Sequence, residues 1–240
     1  TGFTSDIQVS VLDLNQSLEY APLLADSILI NSLLQIEGVN QIQPCITKNA
    51  LIKTDTEFEG IVIKGVDKNY NWSFIQSHLT EGSIPEYTSD NKSLEIVISK
   101  KIAQKLSLQI QDKALFYFQG GNSNQPLIRK FTIKGLYETG IELFDDVYIL
   151  ADIKHLQKIN HWTSDQCSSL EIQVKEGYNS DDVYGMVEMV SPYDTRVSST
   201  QELYPQIFDW IKLFDLNILI ILLIMILVDQ KTRLMNFKFN

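Results

Sequence analysis

Cysteine, histidine and proline are scarce in this chain: two, three and six among 240 residues. Cys45 and Cys167 allow at most one intramolecular bridge, and a chain of this length can build a core without it. Three histidines leave little material for a zinc site. His155 and His161 stand six apart, a spacing that suits neither one helix face nor a common zinc pattern. The chain also lacks G-x-x-x-x-G-K-[ST], G-x-S-x-G and H-E-x-x-H, which excludes a P-loop, a nucleophile elbow and a zincin helix. Basic charge is short as well. Twenty Lys and Arg against thirty Asp and Glu give a formal charge of −10, which argues against nucleic acid and against broad adhesion to anionic lipid. Thr1–Asp6 has neither a basic n-region nor an apolar h-region, so an exported domain needs a signal upstream of it.

What is present is an apolar run close to the end. From Ile218 to Val228 no side chain is polar. As a helix, this stretch measures roughly 17 Å, against about 30 Å of bilayer hydrocarbon. The residues before it mix Asp209, Lys212, Asp215 and Asn217 with Phe208, Trp210 and Phe214, a composition suited to the headgroup zone. The pattern predicts the incomplete start of a transmembrane helix over 207–228, followed by a tail over 229–240. Trp210 and Phe214 are then membrane-interface residues, and everything before them is an extracytoplasmic domain. The alternative is a buried core helix.

Taken in order, the chain opens with an alternating strand over Ile7–Leu12, then a thickly apolar helix from Leu23 to Ile36 ended by Gly38. Val39–Thr47 and Ala50–Lys53 read as extended, with Pro44 pointing to an edge or bulge, and Phe58–Val66 as a strand. Near the other end Leu170–Val174 alternates, Ser180 can cap a helix running to about Val190, and Arg196–Thr200 is extended. Two β-α-β units at the two ends most economically share one sheet, with the middle inserted between them; two separate small domains are the alternative. The middle, about 67–167, predicts an α+β insert. It includes a strand over Leu94–Ile98, a helix capped by Ser99, strands over Lys113–Phe118 and Leu127–Tyr137, and a helix capped by Asp152.

Chemistry is hard to find in the sequence, and no catalytic residue, cofactor or metal is expected. Glu142, Asp145 and Asp146 could seed a cation site or a hydrolase, but such clusters also make solvated loops and caps. The loop Gln119–Pro126, between two strands, exceeds the two to five residues usual for hairpins, and long loops often carry function. Arg129 and Lys130 stand at its exit, cationic in an acidic protein.

Four segments resemble, in order, the periplasmic region of lipoprotein-releasing ABC transporter permeases of the Lol type, within a wider group that includes MacB-type exporters and FtsX-type regulators. They are Ile61-Val-Ile-Lys-Gly-Val-Asp67, Leu94–Leu106 with Asp112, Phe131–Gly140, and Phe208–Asn217. Two positions depart from the family pattern, with Ser99 in place of Gly and Gln111 in place of the Gly before Asp112. The resemblance implies an α+β MacB-like periplasmic domain. A discontinuous porter subdomain (1–66 and 168–206, two β-α-β units) would hold an inserted sabre subdomain (67–167). It implies transport function without enzymatic activity in this chain, ATP being hydrolysed by a separate cytoplasmic ATPase subunit. A second permease subunit, a periplasmic lipoprotein carrier and the lipoprotein substrate would be partners, in the inner membrane with this domain facing the periplasm. By position, Pro126, Leu127, Ile128 and Arg129 would belong to the hook-like hairpin that grips the carrier.

Overall fold

The computed structural model describes residues 3–12, 21–54, 57–88, 90–119 and 126–206, together with 208 and 225. They fall in two compact units, one ending at Ser198 and one beginning at Ser199.

The first unit opens with β1 (Ile7–Val11), whose Ile7 and Val9 are buried while Gln8 is half-buried. Leu23 does not begin a helix. Leu23–Leu24 forms the short strand β2, and α1 spans Ser27–Leu34. The helix starts late because the Asp26 side chain accepts the Leu29 N–H at 2.8 Å, a cap that leaves Leu23 extended. The two predicted strands after Gly38 are one strand, β3 (Val39–Lys53), of 15 residues. Pro44 sits inside it without a bulge: the adjacent strand β4 (Phe58–Val66) ends opposite Cys45, so a missing N–H on that side breaks no ladder bond.

The chain continues through α2 (Ser73–Ser77), β5 (Leu79–Gly82), β6 (Glu95–Ser99) and α3 (Lys100–Lys105). Then come β7 (Lys113–Phe118), β8 (Leu127–Tyr137), the single turn α4 (Glu142–Asp145) and β9 (Tyr148–Asp152). The Ser99 hydroxyl accepts the Ile102 N–H at 3.0 Å, and the Asp152 carboxylate accepts the Lys154 N–H at 3.0 Å to open α5 (Ile153–Asn160). β10 (Gln166–Cys167) closes on β2. β11 (Ser169–Val174), α6 (Ser180–Val190) and β12 (Thr195–Ser199) follow, the first unit ending at Ser198 within β12. The cap of α6 is Asn179 rather than Ser180: its side chain accepts the Asp181 N–H at 2.9 Å. In the second unit, α7 (Thr200–Leu203) begins with a capping box between Ser199 and Glu202.

At one end the strand order is β12-β1-β11-β3, so β1-α1-β3 and β11-α6-β12 are split β-α-β units that interleave. Leu29 and Leu33 of α1 and Val183 and Val187 of α6 join Ile7, Val9, Leu170 and Ile172 in the core. Gly38 (φ +97) ends the α1 segment, and a Cβ there would lie 2.7 Å from Val183 Cγ2. At the other end β7 pairs with β8 on one side and β3 on the other, so β3, β4, β9, β6, β8 and β7 close into a ring. Alternation sends Ile52, Ile63, Ile98, Phe116, Phe131 and Ile133 to its interior, all fully buried. α5 packs on β3, β4 and β9, where Gly65 lets it close in: a Cβ there would stand 2.8 Å from Leu156 Cδ1 and 3.0 Å from the Ile153 Cα. β3 belongs to both assemblies. Its first half pairs with β11 and its second with β4 and β7.

Candidate interaction surface and buried charge centre

β8 leaves the long hairpin loop at Pro126 and alternates from there. Tyr117 pairs with Ile128 and with Leu51 of β3, so these three share the outer face of the ring. Phe116 pairs with Arg129 and with Ile52, which assigns Arg129 to the inner face, and Leu127 follows it opposite Phe118. The four predicted hairpin residues therefore divide. Pro126 and Ile128 are exposed, whereas Leu127 and Arg129 are half-buried. The Arg129 guanidinium donates to the Ile128 carbonyl at 2.9 Å, and its charge is among those acting on His155 of α5. Residues 120–125, and Trp210 and Phe214, lie outside the described residues.

A second centre, which the sequence did not single out, lies where the two assemblies meet on β3. Lys64 of β4 is 2% exposed, and its ammonium lies 2.8 Å from the Glu171 carboxylate of β11. It also donates to the Phe3 carbonyl at 3.0 Å and stands 5.3 Å and 5.5 Å from the Phe3 and Tyr70 ring centres. Burial opposes its charge, but the carboxylate prevails and holds its pKa well above the usual lysine range. Burial pushes the Tyr70 hydroxyl up. A cavity of about 170 Å³ opens beside the pair, lined by Phe3, Asp6, Gln43, Tyr70, Phe74 and Glu171 among others. The sequence signal was a lysine inside the apolar run 61–66 of β4. Its partner is 107 residues away.

The acid cluster is occupied by structural work. Asp145 is buried and accepts the Thr139 and Gly140 N–H groups at 3.0 Å and 2.9 Å and the Thr139 hydroxyl at 2.8 Å. Asp146 pairs with Lys101 at 2.8 Å, and Glu142 lies 3.7 Å from the same ammonium. Among the described residues no three His, Cys, Asp or Glu side chains are grouped to hold a metal. His155 donates from Nε2 to the Ser93 carbonyl at 2.9 Å and meets the Phe131 ring edge-on, which makes it a packing residue of α5. Both cysteines are free and buried, and no bridge joins them. Among the described residues no helix is long and apolar enough to cross a membrane, and the predicted membrane entry over 207–228 lies outside them apart from Phe208 and Met225.

The mixed α+β architecture with its large mixed sheet has the fold of MacB-like periplasmic domains. Two solved structures illustrate it. The periplasmic region of MacB from Actinobacillus actinomycetemcomitans matches at TM-score 0.56 and 11% identity, over 85% of this chain and 92% of that one. The extracellular domain of the noncanonic ABC-type transporter YknZ from Gram-positive bacteria matches at TM-score 0.53 and 15% identity, over 81% of this chain and 100% of that one. At these identities the likeness concerns the fold. Comparison with family models and with curated proteins returned no match.

Proposed function

We propose that this chain is the periplasmic part of an ABC transporter permease that releases lipoproteins from the inner membrane and passes them to a periplasmic carrier. The observation that carries the reading is β3. One 15-residue strand runs from the interleaved β-α-β half into the closed ring, so movement of either end is transmitted through continuous backbone hydrogen bonds. In this reading residues 1–66 and 168–206 act as the porter subdomain, 67–167 as the sabre subdomain, and the β7–β8 hairpin with Pro126, Leu127, Ile128 and Arg129 engages the carrier. Trp210 and Phe214 sit at the membrane interface, at the start of a transmembrane helix. The chain performs no catalysis of its own; a cytoplasmic ATPase subunit supplies the energy and a second permease subunit completes the transporter. The four ordered sequence segments support lipoprotein release in particular.

The test is co-purification of the intact protein with an ATPase subunit and a lipid-carrying periplasmic protein, before and after deletion of residues 119–128. Loss of the carrier alone on deletion supports the hook assignment. Carrier binding that survives it removes that assignment, and an ATPase-free preparation removes the transporter reading. A MacB-type export permease is the second reading, favoured by the fold likeness to MacB. Cross-linking to an envelope-spanning tube, in place of a soluble carrier, would select it. An FtsX-type regulator would instead cross-link to cell-wall hydrolases.

A further inference from the structure

Over 58–60 of β4, 51–53 of β3, 113–117 of β7 and 128–130 of β8, the outer face of the ring is largely apolar and, among the described residues, open to solvent. Strand register lines up two rows across it: Gly60, Leu51, Tyr117 and Ile128, then Phe58, Lys53, Leu115 and Lys130. Ile128 is 47% exposed, Leu51 38%, Leu115 37% and Phe58 70%. Neighbouring strands bring such side chains into one surface, and contiguous apolar patches on sheet faces mark contact sites. The charge on this face is of one sign. Lys53, Lys113 and Lys130 occupy its strand positions, none of which is acidic among the described residues, although acids outnumber bases thirty to twenty in the chain. None of the three lysines forms an ion pair among the described residues, whereas Lys64, Lys100, Lys101, Lys105 and Lys134 all do.

We propose that this face docks a partner protein through a surface that alternates acidic and apolar side chains. Leu51, Tyr117 and Ile128 would provide the apolar contact, and Lys53, Lys113 and Lys130 the orientation. A second copy of this chain docking by two-fold symmetry would set lysines against lysines. An anionic bilayer would meet a protein of net charge −10. An acidic protein surface satisfies both features, because complementary charge steers and orients docking while the apolar row excludes water. The face shares Ile128 with the proposed carrier-engaging hairpin but not Leu51, Lys53, Lys113 or Tyr117, so loss of peptide binding in Lys53→Glu/Lys130→Glu is read apart from the carrier co-purification.

The test uses the intact protein in phosphatidylcholine nanodiscs and a labelled synthetic strand peptide alternating glutamate with leucine, followed by fluorescence anisotropy. The expected result is saturable binding that weakens about tenfold in Leu51→Ser/Ile128→Ser, again in Lys53→Glu/Lys130→Glu, and on raising salt from about 0.05 to 0.5 M. All four positions point outward, so an unchanged melting temperature controls for folding. With Cys45 and Cys167 buried, a benzophenone on Ile128→Cys labels one site and should cross-link the peptide. Equal binding of a lysine–leucine peptide, or binding that the charge reversal leaves unchanged, overturns the proposal. So does binding of phosphatidylglycerol vesicles in place of the peptide, or self-association abolished by Ile128→Ser.

Discussion

Lys64 and Glu171 meet at 2.8 Å from the two strands that flank β3, and through the Phe3 carbonyl the same ammonium ties down the start of the described chain. Three stretches far apart in sequence thus converge on one buried charge. Removing one partner of such a pair strands the other without solvent. Lys64→Met should lower unfolding free energy by about 3–5 kcal/mol, while Lys64→Met/Glu171→Leu, which removes both charges, should recover most of that loss. Urea denaturation of the two variants beside the parent measures the difference. Equal losses would mean that the pair's geometry, rather than the uncompensated charge, sets the cost.

The same pair has a signature at high pH. The native Lys64 pKa lies above the ordinary 10.5, so its contribution is complete below that value and is lost as pH rises through the native one. Stability should therefore fall as pH climbs beyond 10.5, with a shallower slope in the double variant. The slope should not vanish, because burial also pushes the Tyr70, Tyr87 and Tyr137 hydroxyls up, and these titrate in the same sense.

Gly65 marks the closest approach of α5 to the sheet. Gly65→Ala forces Leu156 to give way and meets the Ile153 backbone, which cannot, so a loss of about 1–3 kcal/mol is expected. Gly60→Ala, whose Cβ meets nothing within 4 Å, is the control and should change stability little. Thermal melts of both variants read this directly.

At acid pH the relevant group is His155. Burial holds its pKa below the usual 6.5; Asp152 and the Ser93 carbonyl pull the other way, and Lys92 and Arg129 add to the lowering. Because the folded pKa is depressed, stability is intact above 6.5 and is lost as pH falls through the native value. His155→Phe should flatten that part of the pH–stability curve, and a chemical-denaturation series in acid would detect it.

Both thiols should be silent. Burial raises the Cys45 pKa well above normal and Cys167 to about 12, so neither presents thiolate at neutral pH. Maleimide should fail to label the native chain and should label both positions in urea.

Three strands were legible with their observed bounds, Phe58–Val66, Lys113–Phe118 and Leu127–Tyr137, because alternation and flanking turn residues are local signals. The caps at Ser99 and Asp152 were legible for the same reason. The helix expected from Leu23 was not, because Leu23 is held as a strand by Cys167, a partner no local pattern announces. β5 and α4 have four residues each, too few to show a period. At the candidate surface the hairpin was visible, but its division between two faces was not. That depends on whether Phe116 or Tyr117 turns inward, and the pairing of β7 with β3 decides it.

The order of residues by itself determined where three of the strands run, where two of the helices are capped, that apolar surface suffices for a core, and that no familiar catalytic motif is present. Those properties arise within a few residues of chain. Closure of the ring, the meeting of Lys64 with Glu171 and the outward-facing row of Leu51, Tyr117 and Ile128 belong to the tertiary structure alone. Each needs strands distant along the chain to come into register, and register follows from burying one whole face of a sheet at once rather than from any local preference.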